Sequence, residues 1–125
     1  MKVLQRTHGS VAVVTPVGRI DSTTSSSLEE VTRGIVDSGA RDVLVDLSDT
    51  DYISSAGLRV FLVLAKRLRD LRGRLVLAAL GEPVRQVFQL AGFLPLFTID
   101  ATLDAALARF DTTASTGAGA RGPAV

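Results

Sequence analysis

Two compact and largely apolar runs, Asp42–Leu47 and Leu75–Leu80, constrain the fold of this chain more than any other feature. Both have the length of a β-strand and lack the regular alternation of a half-buried strand, which indicates burial on both faces of a sheet. Segments with helical periodicity follow each of them. Strands that alternate with helices favour a partly parallel sheet with helices packed against it.

Four helices are predicted from apolar spacing and end signals. The first follows a polar stretch, with Ser26 or Ser27 as its N-cap and Ser38–Gly39 as its end. The third begins at Glu82–Pro83 and ends at Gly92. The apolar positions of the second are Leu58, Phe61, Leu62, Ala65, Leu68 and Leu71, and those of the fourth are Leu103, Ala106, Leu107 and Phe110.

Three further segments are expected to be strands. Val3–Thr7 and Val11–Val17 are separated by a short turn and predict a hairpin or two adjacent strands, and Pro16 indicates that the second lies near a sheet edge or ends there. Phe97–Asp100 is a short final strand. We therefore predict a single α/β domain over residues 1–110, with a mixed sheet of about 4–5 strands and about 4 helices.

The C-terminal segment, residues 111–125, consists mainly of threonine, alanine, glycine and serine. Such a segment buries too little apolar surface to offset the conformational entropy that ordering removes. We therefore predict a disordered tail.

Charge and cysteine content exclude several kinds of partner and site. The net charge is +1, with 14 basic and 13 acidic residues along the chain, so no electrostatic field is available to attract nucleic acid. The chain has no cysteine, which excludes disulfides and Cys-ligated metal sites. The N-terminus lacks the apolar stretch of a signal peptide, and Val60–Ala65 is too short to span a bilayer. We expect a cytoplasmic protein with no membrane or nucleic-acid partner.

Catalysis would need groups that the sequence does not supply together. His8 is the only histidine and is best interpreted as a surface or turn residue. The glycines form no phosphate-binding or dinucleotide-binding motif. Asp46, Asp49 and Asp51 lie close together, but a strand end followed by a polar turn is where aspartate is expected. We predict no catalytic residue, no metal site and no cofactor.

The segment Ser54-Ser55-Ala56-Gly57 stands between a strand and an amphipathic helix. A serine in this place is first of all a helix N-cap, which stabilises a helix by about 1 kcal/mol. The segment also offers two adjacent hydroxyls beside small residues, at a helix end that carries roughly half a positive charge. The residues by themselves favour the cap, and the position would tolerate a phosphate.

Two segments, Val45-Asp46-Leu47-Ser48 and Tyr52-Ile53-Ser54-Ser55-Ala56-Gly57-Leu58-Arg59, resemble the signature of STAS-domain anti-sigma factor antagonists. The similarity covers about residues 3 to 110, and includes Gly18-Arg19-Ile20-Asp21 and Gly73-Arg74-Leu75-Val76-Leu77. In the better-known members the signature reads D-S-S-G-L or D-S-T-G-L, and the first serine is phosphorylated. Alignment on Gly57 and Leu58 matches Ser55 to that serine and Ser54 to the aspartate. The resemblance thus implies phosphorylation of Ser55, with Ser54 as the alternative acceptor.

The resemblance also implies partners for the chain. One is an anti-sigma factor with a histidine-kinase-like ATPase fold that phosphorylates the serine, and the other is a PP2C-type phosphatase that reverses the reaction. The residues implied to face the partner are Asp21, Ser54, Ser55, Ala56, Gly57 and Leu58. Asp21 has an equal alternative as a turn aspartate whose side chain binds nearby amides.

The implied function is that of an anti-sigma factor antagonist, in which the unphosphorylated form binds and phosphorylation releases. The alternative is a constitutive STAS interaction subunit of a transporter or signalling complex. In that alternative Ser54 and Ser55 would only cap the helix.

Overall fold

Strands and helices alternate along most of the chain. The computed structural model describes the backbone of residues 2–115 and the side chains of residues 2–111. The elements are β1 (Lys2–His8), β2 (Val11–Ile20), α1 (Ser25–Asp37), β3 (Asp42–Asp46), β4 (Thr50–Ile53), α2 (Ser55–Asp70), β5 (Arg74–Ala78), α3 (Glu82–Leu90), a 3-10 turn (Leu94–Leu96), β6 (Thr98–Asp100) and α4 (Leu103–Ser115). The predicted single α/β domain with a mixed sheet is confirmed.

The sheet has the strand order β1, β2, β3, β5, β6, with β4 paired to β2 beside this path. β1 and β2 form an antiparallel hairpin, which confirms the expected pairing of the two N-terminal runs. The other strand pairs are parallel. Because the strands that follow β1 run in parallel, the loops after β2 and β4 meet at the carboxyl edge of the sheet.

Helices on both faces explain why β3 reads as a continuous apolar run. Val43 and Val45 pack on one face with α1, α2 and α3, whereas Leu44 packs on the other face with Phe110 of α4. These three strand residues are at most 1% exposed. The expectation that the central strands are buried on both faces is therefore confirmed.

β2 changes its parallel partner along its length, and this change determines which strand ends lie side by side. Its first part pairs with β3 through Val11–Val14, and its last part pairs with β4 through Gly18–Ile20. A register irregularity lies between Gly18 and Arg19. Gly18 has a φ of +99°, which residues with a Cβ rarely adopt. The switch brings the end of β4 beside the end of β2.

Pro16 lies between these two paired segments of β2. Its carbonyl oxygen accepts a hydrogen bond of 2.9 Å from the hydroxyl of Thr50. The expectation that the strand could end at Pro16 is wrong, since β2 continues to Ile20. The absent amide hydrogen of Pro16 removes no hydrogen bond to β3 or β4, because pairing with β3 has ended at this residue and pairing with β4 has not begun.

Strand β4 is the element that the sequence analysis did not predict, so the described residues form six strands instead of four or five. Its four residues include exposed Asp51, and only Thr50 and Ile53 are buried. Such a short strand with an acidic residue resembles a loop in composition. Its pairing with β2, which is distant in sequence, is what makes it a strand.

Helix α1 begins earlier than predicted, whereas the cap of α2 is one of the serines expected there. α1 begins at Ser25 with Thr24 in the cap position, so the predicted caps Ser26 and Ser27 are wrong. The amide of Ser25 donates to the carbonyl of Asp21, a contact that periodicity alone does not report. α2 begins at Ser55 with Ser54 as its N-cap, so its first turn precedes Leu58, the first residue of the predicted apolar stripe.

The buried stripe of α2 is also shifted from the predicted one. It contains Gly57, Leu58, Val60, Phe61, Leu64 and Leu68. Leu71 was assigned to the core but is 40% exposed beyond the end of the helix. Leu64 takes the interior place that the sequence analysis gave to Leu62, because the run Val60–Ala65 is apolar on every side of the helix.

Helix α4 continues to Ser115, so the first part of the predicted disordered tail is helical. Its buried residues on the sheet are Ala106 and Phe110, as its periodicity predicts. The rest of the predicted tail, residues 116–125, lies outside the described residues.

Candidate functional site

Ser54 is the N-cap of α2. Its extended backbone (φ −95°, ψ 174°) ends β4, and its Oγ accepts a hydrogen bond of 3.3 Å from the amide of Gly57. The amide of Ser54 donates to the carbonyl of Ile20 at 2.8 Å, which ties the cap to the end of β2. The side chain that the resemblance gave as the alternative phosphate acceptor is therefore half-buried and already engaged.

Ser55 is the first residue of α2 and is exposed, while the following Ala56 is half-buried. Within residues 2–111 the Oγ of Ser55 has no hydrogen-bond partner. The two serines consequently differ in a way that the sequence left open: one hydroxyl stabilises the helix, and the next one faces solvent.

Gly57 and Leu58 are buried beneath the two serines. Leu58 is 2% exposed, and it packs in the core on the sheet face that α1, α2 and α3 cover. A Cβ added to Gly57 would lie 2.6 Å from Cγ2 of Ile20 and 2.7 Å from Cγ1 of Ile53. These two residues therefore lie beneath the surface of the site, and their implied contact with a partner stays a prediction.

Asp21 lies in the loop between β2 and α1, next to the carbonyl that anchors Ser54. Its Oδ1 accepts hydrogen bonds from the Thr23 amide at 3.0 Å, the Thr23 hydroxyl at 2.7 Å and the Thr24 amide at 3.2 Å. The hydrogen bonds from Thr23 chiefly, and those from Thr24, lower the pKa of this carboxyl below its usual range. Asp21 is thus a turn aspartate that shapes the entry to α1, and its contribution to a partner-facing surface stays a prediction.

A groove between α1 and α2 borders Ser55, and we call it the α1–α2 groove. Its lining residues are Ser25, Ser26 and Glu29 from α1, Ser55, Ala56, Arg59, Val60, Leu62 and Val63 from α2, and Phe93. The groove begins where both helices start, and neither first turn contains an acidic side chain. The N-terminal ends of both helices, which carry partial positive charge, therefore border the same groove, and the carboxylate of Asp21 accepts from the Thr24 amide at the start of α1.

Arg59 is the cationic residue of this groove. It is exposed, and it forms no ion pair or hydrogen bond with the side chains described up to Asp111. Glu29 faces the groove from α1, and it is paired with Arg33 at 3.5 Å on its own helix. The guanidinium of Arg59 is therefore available to an anionic group that enters the groove.

None of the candidate catalytic groups lines the α1–α2 groove. His8 is 44% exposed, with its Nε2 3.8 Å from Oδ2 of Asp111. Asp46 is 8% exposed and accepts a 3.0 Å hydrogen bond from the amide of Ser48, as a turn aspartate does. Asp49 and Asp51 are exposed, and within residues 2–111 no three acidic or histidine side chains are placed to share a metal ion.

None of the helices in the described part of the chain combines the length and apolarity that crossing a membrane requires. The sequence analysis missed the groove itself and with it Arg59, Ser25 and Phe93. Arg59 carried a detectable signal, because it follows Ser55 by four residues in a predicted helix. Ser25 and Phe93 reach the groove only through tertiary packing, for which the sequence has no local pattern.

Several known proteins are similar to this chain in sequence. The model of the STAS domain family matches residues 2–106. A protein of Bordetella bronchiseptica named "Putative anti-sigma factor antagonist BtrV" is 46% identical over 95 residues that cover 76% of this chain and 82% of BtrV. RsfB of Mycobacterium tuberculosis, named as an anti-sigma-F factor antagonist, is 28% identical over 100 residues that cover 80% of this chain and 81% of RsfB.

Solved structures share the fold as well. The crystal structure of an anti-sigma factor antagonist from Mycobacterium paratuberculosis matches with a TM-score of 0.80 at 29% identity, covering 86% of this chain and 92% of that chain. Sequence and fold agree over nearly the whole described region, and this chain belongs to the STAS domain family.

Proposed function

We propose that this chain is an anti-sigma factor antagonist whose unphosphorylated form binds an anti-sigma factor and releases the target of that factor. Phosphorylation of Ser55 abolishes the binding. The observation that supports the proposal most is the division of roles between the two serines, with Ser54 held in the cap and Ser55 exposed at the rim of the groove. The names of BtrV and RsfB support the functional class.

The proposed partners follow the family pattern. The anti-sigma factor carries a histidine-kinase-like ATPase fold and acts as the serine kinase, and a PP2C-type phosphatase removes the phosphate. The partner-facing surface consists of Ser55, Ala56 and the side chains of the α1–α2 groove. Asp21, Ser54, Gly57 and Leu58 belong to the same site as supports, because their side chains or packing fix the start of α1 and α2.

The switch is electrostatic. A phosphate on Ser55 adds about −1.5 to −2 charges at neutral pH. The helix dipole stabilises such a charge by about 0.3–1 kcal/mol in the free protein, which helps the phosphorylated chain to keep its fold. In a complex the same charge would lose its water, and a hundredfold loss of affinity needs only about 2.7 kcal/mol. No rearrangement of the domain is required.

The test is phosphorylation by the cognate anti-sigma factor with ATP, followed by mapping of the modified residue by mass spectrometry. The parent chain, Ser54→Ala and Ser55→Ala are compared. We expect phosphate on Ser55 in the parent and in Ser54→Ala, and none in Ser55→Ala. Ser55→Ala should bind the partner whether or not ATP is present, and Ser55→Asp should bind at least about tenfold more weakly, which corresponds to about 1.4 kcal/mol.

Two results would overturn parts of this proposal. Stoichiometric phosphorylation of Ser55→Ala would move the acceptor to Ser54. Stable binding of the partner with no phosphate on either serine would favour the constitutive interaction subunit, in which both serines are structural.

A further inference from the structure

Arg59 and Ser55 lie four residues apart on α2 and line the same groove. In a helix this spacing puts two side chains on one face, about 5–6 Å apart at Cβ. Arg59 has no ionic partner among the side chains of residues 2–111. The helix thus presents an exposed hydroxyl and an uncommitted guanidinium to the same space.

We propose that Arg59 holds the phosphate of phosphorylated Ser55 within the molecule. The inference rests on the proposed modification of Ser55. A guanidinium offers planar N–H donors that match phosphate oxygens in a bidentate arrangement, which is among the stronger charge-assisted hydrogen bonds. Both residues belong to one regular helix, so the pair can form through side-chain rotation alone.

The charged groups around this pair are few. Glu29 faces the groove from α1 and is paired with Arg33, whereas Phe93, on the segment that follows α3, is uncharged. Arg59 is therefore the only cationic side chain among the groove residues of the described chain. The carboxylate of Glu29 repels a phosphate on Ser55, and the guanidinium of Arg59 attracts it.

The pair gives the modification a second effect. In the unphosphorylated chain Arg59 is an exposed cation that can meet a carboxylate of the partner. After phosphorylation its guanidinium is occupied, and the Ser55–Arg59 face changes from about +1 to about −0.5 to −1. One covalent change thus adds a negative charge to the surface and removes a cationic contact from it.

The pair is tested on the full chain with phosphoserine inserted at position 55 during translation, so that no kinase is needed. A ³¹P NMR titration then measures the second pKa of the phosphoserine, which is about 6 when unperturbed. A unit charge about 5 Å away in water changes a pKa by about half a unit. Arg59→Gln should therefore raise the phosphoserine pKa by about half a unit, because the guanidinium favours the dianion.

Three variants serve as controls. Arg69→Gln removes an exposed cation from the far end of α2 and should leave the phosphoserine pKa unchanged. Arg59→Lys should keep much of the effect as a point charge. Glu29→Gln should lower the phosphoserine pKa, since a carboxylate facing the groove disfavours the dianion.

Equal phosphoserine pKa values in the parent, Arg59→Gln and Arg69→Gln would refute the pair. That result would leave the proposed kinase reaction untouched, because the phosphate is inserted without it. Conversely, a cognate kinase that never modifies Ser55 would refute the proposed function, while the titration would still report whether Arg59 binds a phosphate at that position.

Discussion

Replacement of Gly57 by alanine tests how closely α2 is held against the sheet beneath the site. The added Cβ would lie 2.6 Å from Cγ2 of Ile20 and 2.7 Å from Cγ1 of Ile53. Favourable carbon contacts are about 3.5–4.0 Å long, so both neighbours must move by about 1 Å. The two isoleucines are 0% exposed and have no solvent to move into.

The expected loss of stability follows from two opposing terms. Overpacking of a core costs about 1–3 kcal/mol, and the helix preference for alanine over glycine offsets about 1 kcal/mol of it. We expect Gly57→Ala to lower the free energy of unfolding by about 1 kcal/mol, with about 2 kcal/mol as the upper bound. Urea denaturation followed by circular dichroism measures this change.

Gly34 supplies the matched control because it lies in the last turn of α1 with open space where its Cβ would be. Gly34→Ala should gain the helix preference alone and raise the free energy of unfolding by up to about 1 kcal/mol. The urea midpoints of the two variants should therefore move in opposite directions. If Gly57→Ala is stabilised as much as Gly34→Ala, the close packing of α2 on Ile20 and Ile53 is wrong.

Four other variants probe the cap and the α4 face. Ser54→Ala should lower the free energy of unfolding by about 0.5–1 kcal/mol through loss of the cap, whereas Ser55→Ala, measured in the same urea titration, should change it by less than about 0.5 kcal/mol. Asp100 has a carboxyl pKa held below its usual range, chiefly by hydrogen bonds of 2.7 and 2.8 Å from Arg109. A carboxyl whose pKa is lower in the folded chain stabilises the fold above the unfolded pKa of about 3.9, and this stabilisation is lost as the pH falls. The stability difference between the parent and Asp100→Asn should therefore shrink below about pH 4, and a difference that stays constant would contradict this prediction. Phe110→Ala removes a ring that is 2% exposed and should cost about 3–5 kcal/mol in a thermal or urea melt, and a cost below about 1 kcal/mol would show that α4 is not packed as described.

The local sequence pattern was sufficient to predict the helices and strands whose buried residues recur at regular spacing or form one apolar run. The run at β3, the turn before β2 and the apolar stripe of α4 each lie within one short segment of the sequence, and each was predicted close to where it is observed. β4 was missed because its identity depends on Gly18–Ile20, a distant segment that pairs with it. Its own four residues carry little β signal.

The site shows the same limit. The cap was predictable because serine before an apolar helical run is a local signal, and family resemblance then directed attention to Ser55. The different environments of Ser54 and Ser55 were not predictable, because they depend on the carbonyl of Ile20 and on the close approach of Gly57 to the strand ends. Contacts between segments decide which hydroxyl is left free.

Ser54 stands where the better-known family members carry aspartate, and Ser54→Asp separates position from charge. Serine and aspartate are comparable N-caps, and a negative charge at a helix N-terminus adds about 0.3–1 kcal/mol, so the variant should be at least as stable as the parent. The cap side chain turns towards the amide of Gly57, whereas Ser55 points outwards. We expect Ser54→Asp to keep partner affinity within about threefold, a change of less than about 0.7 kcal/mol, and to remain phosphorylated on Ser55.

Ser55→Asp is the matched variant, since it adds the same charge one residue later. Binding of both variants to the anti-sigma factor can be compared by isothermal titration calorimetry. If the switch depends on charge at the exposed serine, only Ser55→Asp should lose affinity for the anti-sigma factor. If the two variants lose affinity equally, the geometry of the two serines does not determine the switch, and the assignment based on the cap of α2 is wrong.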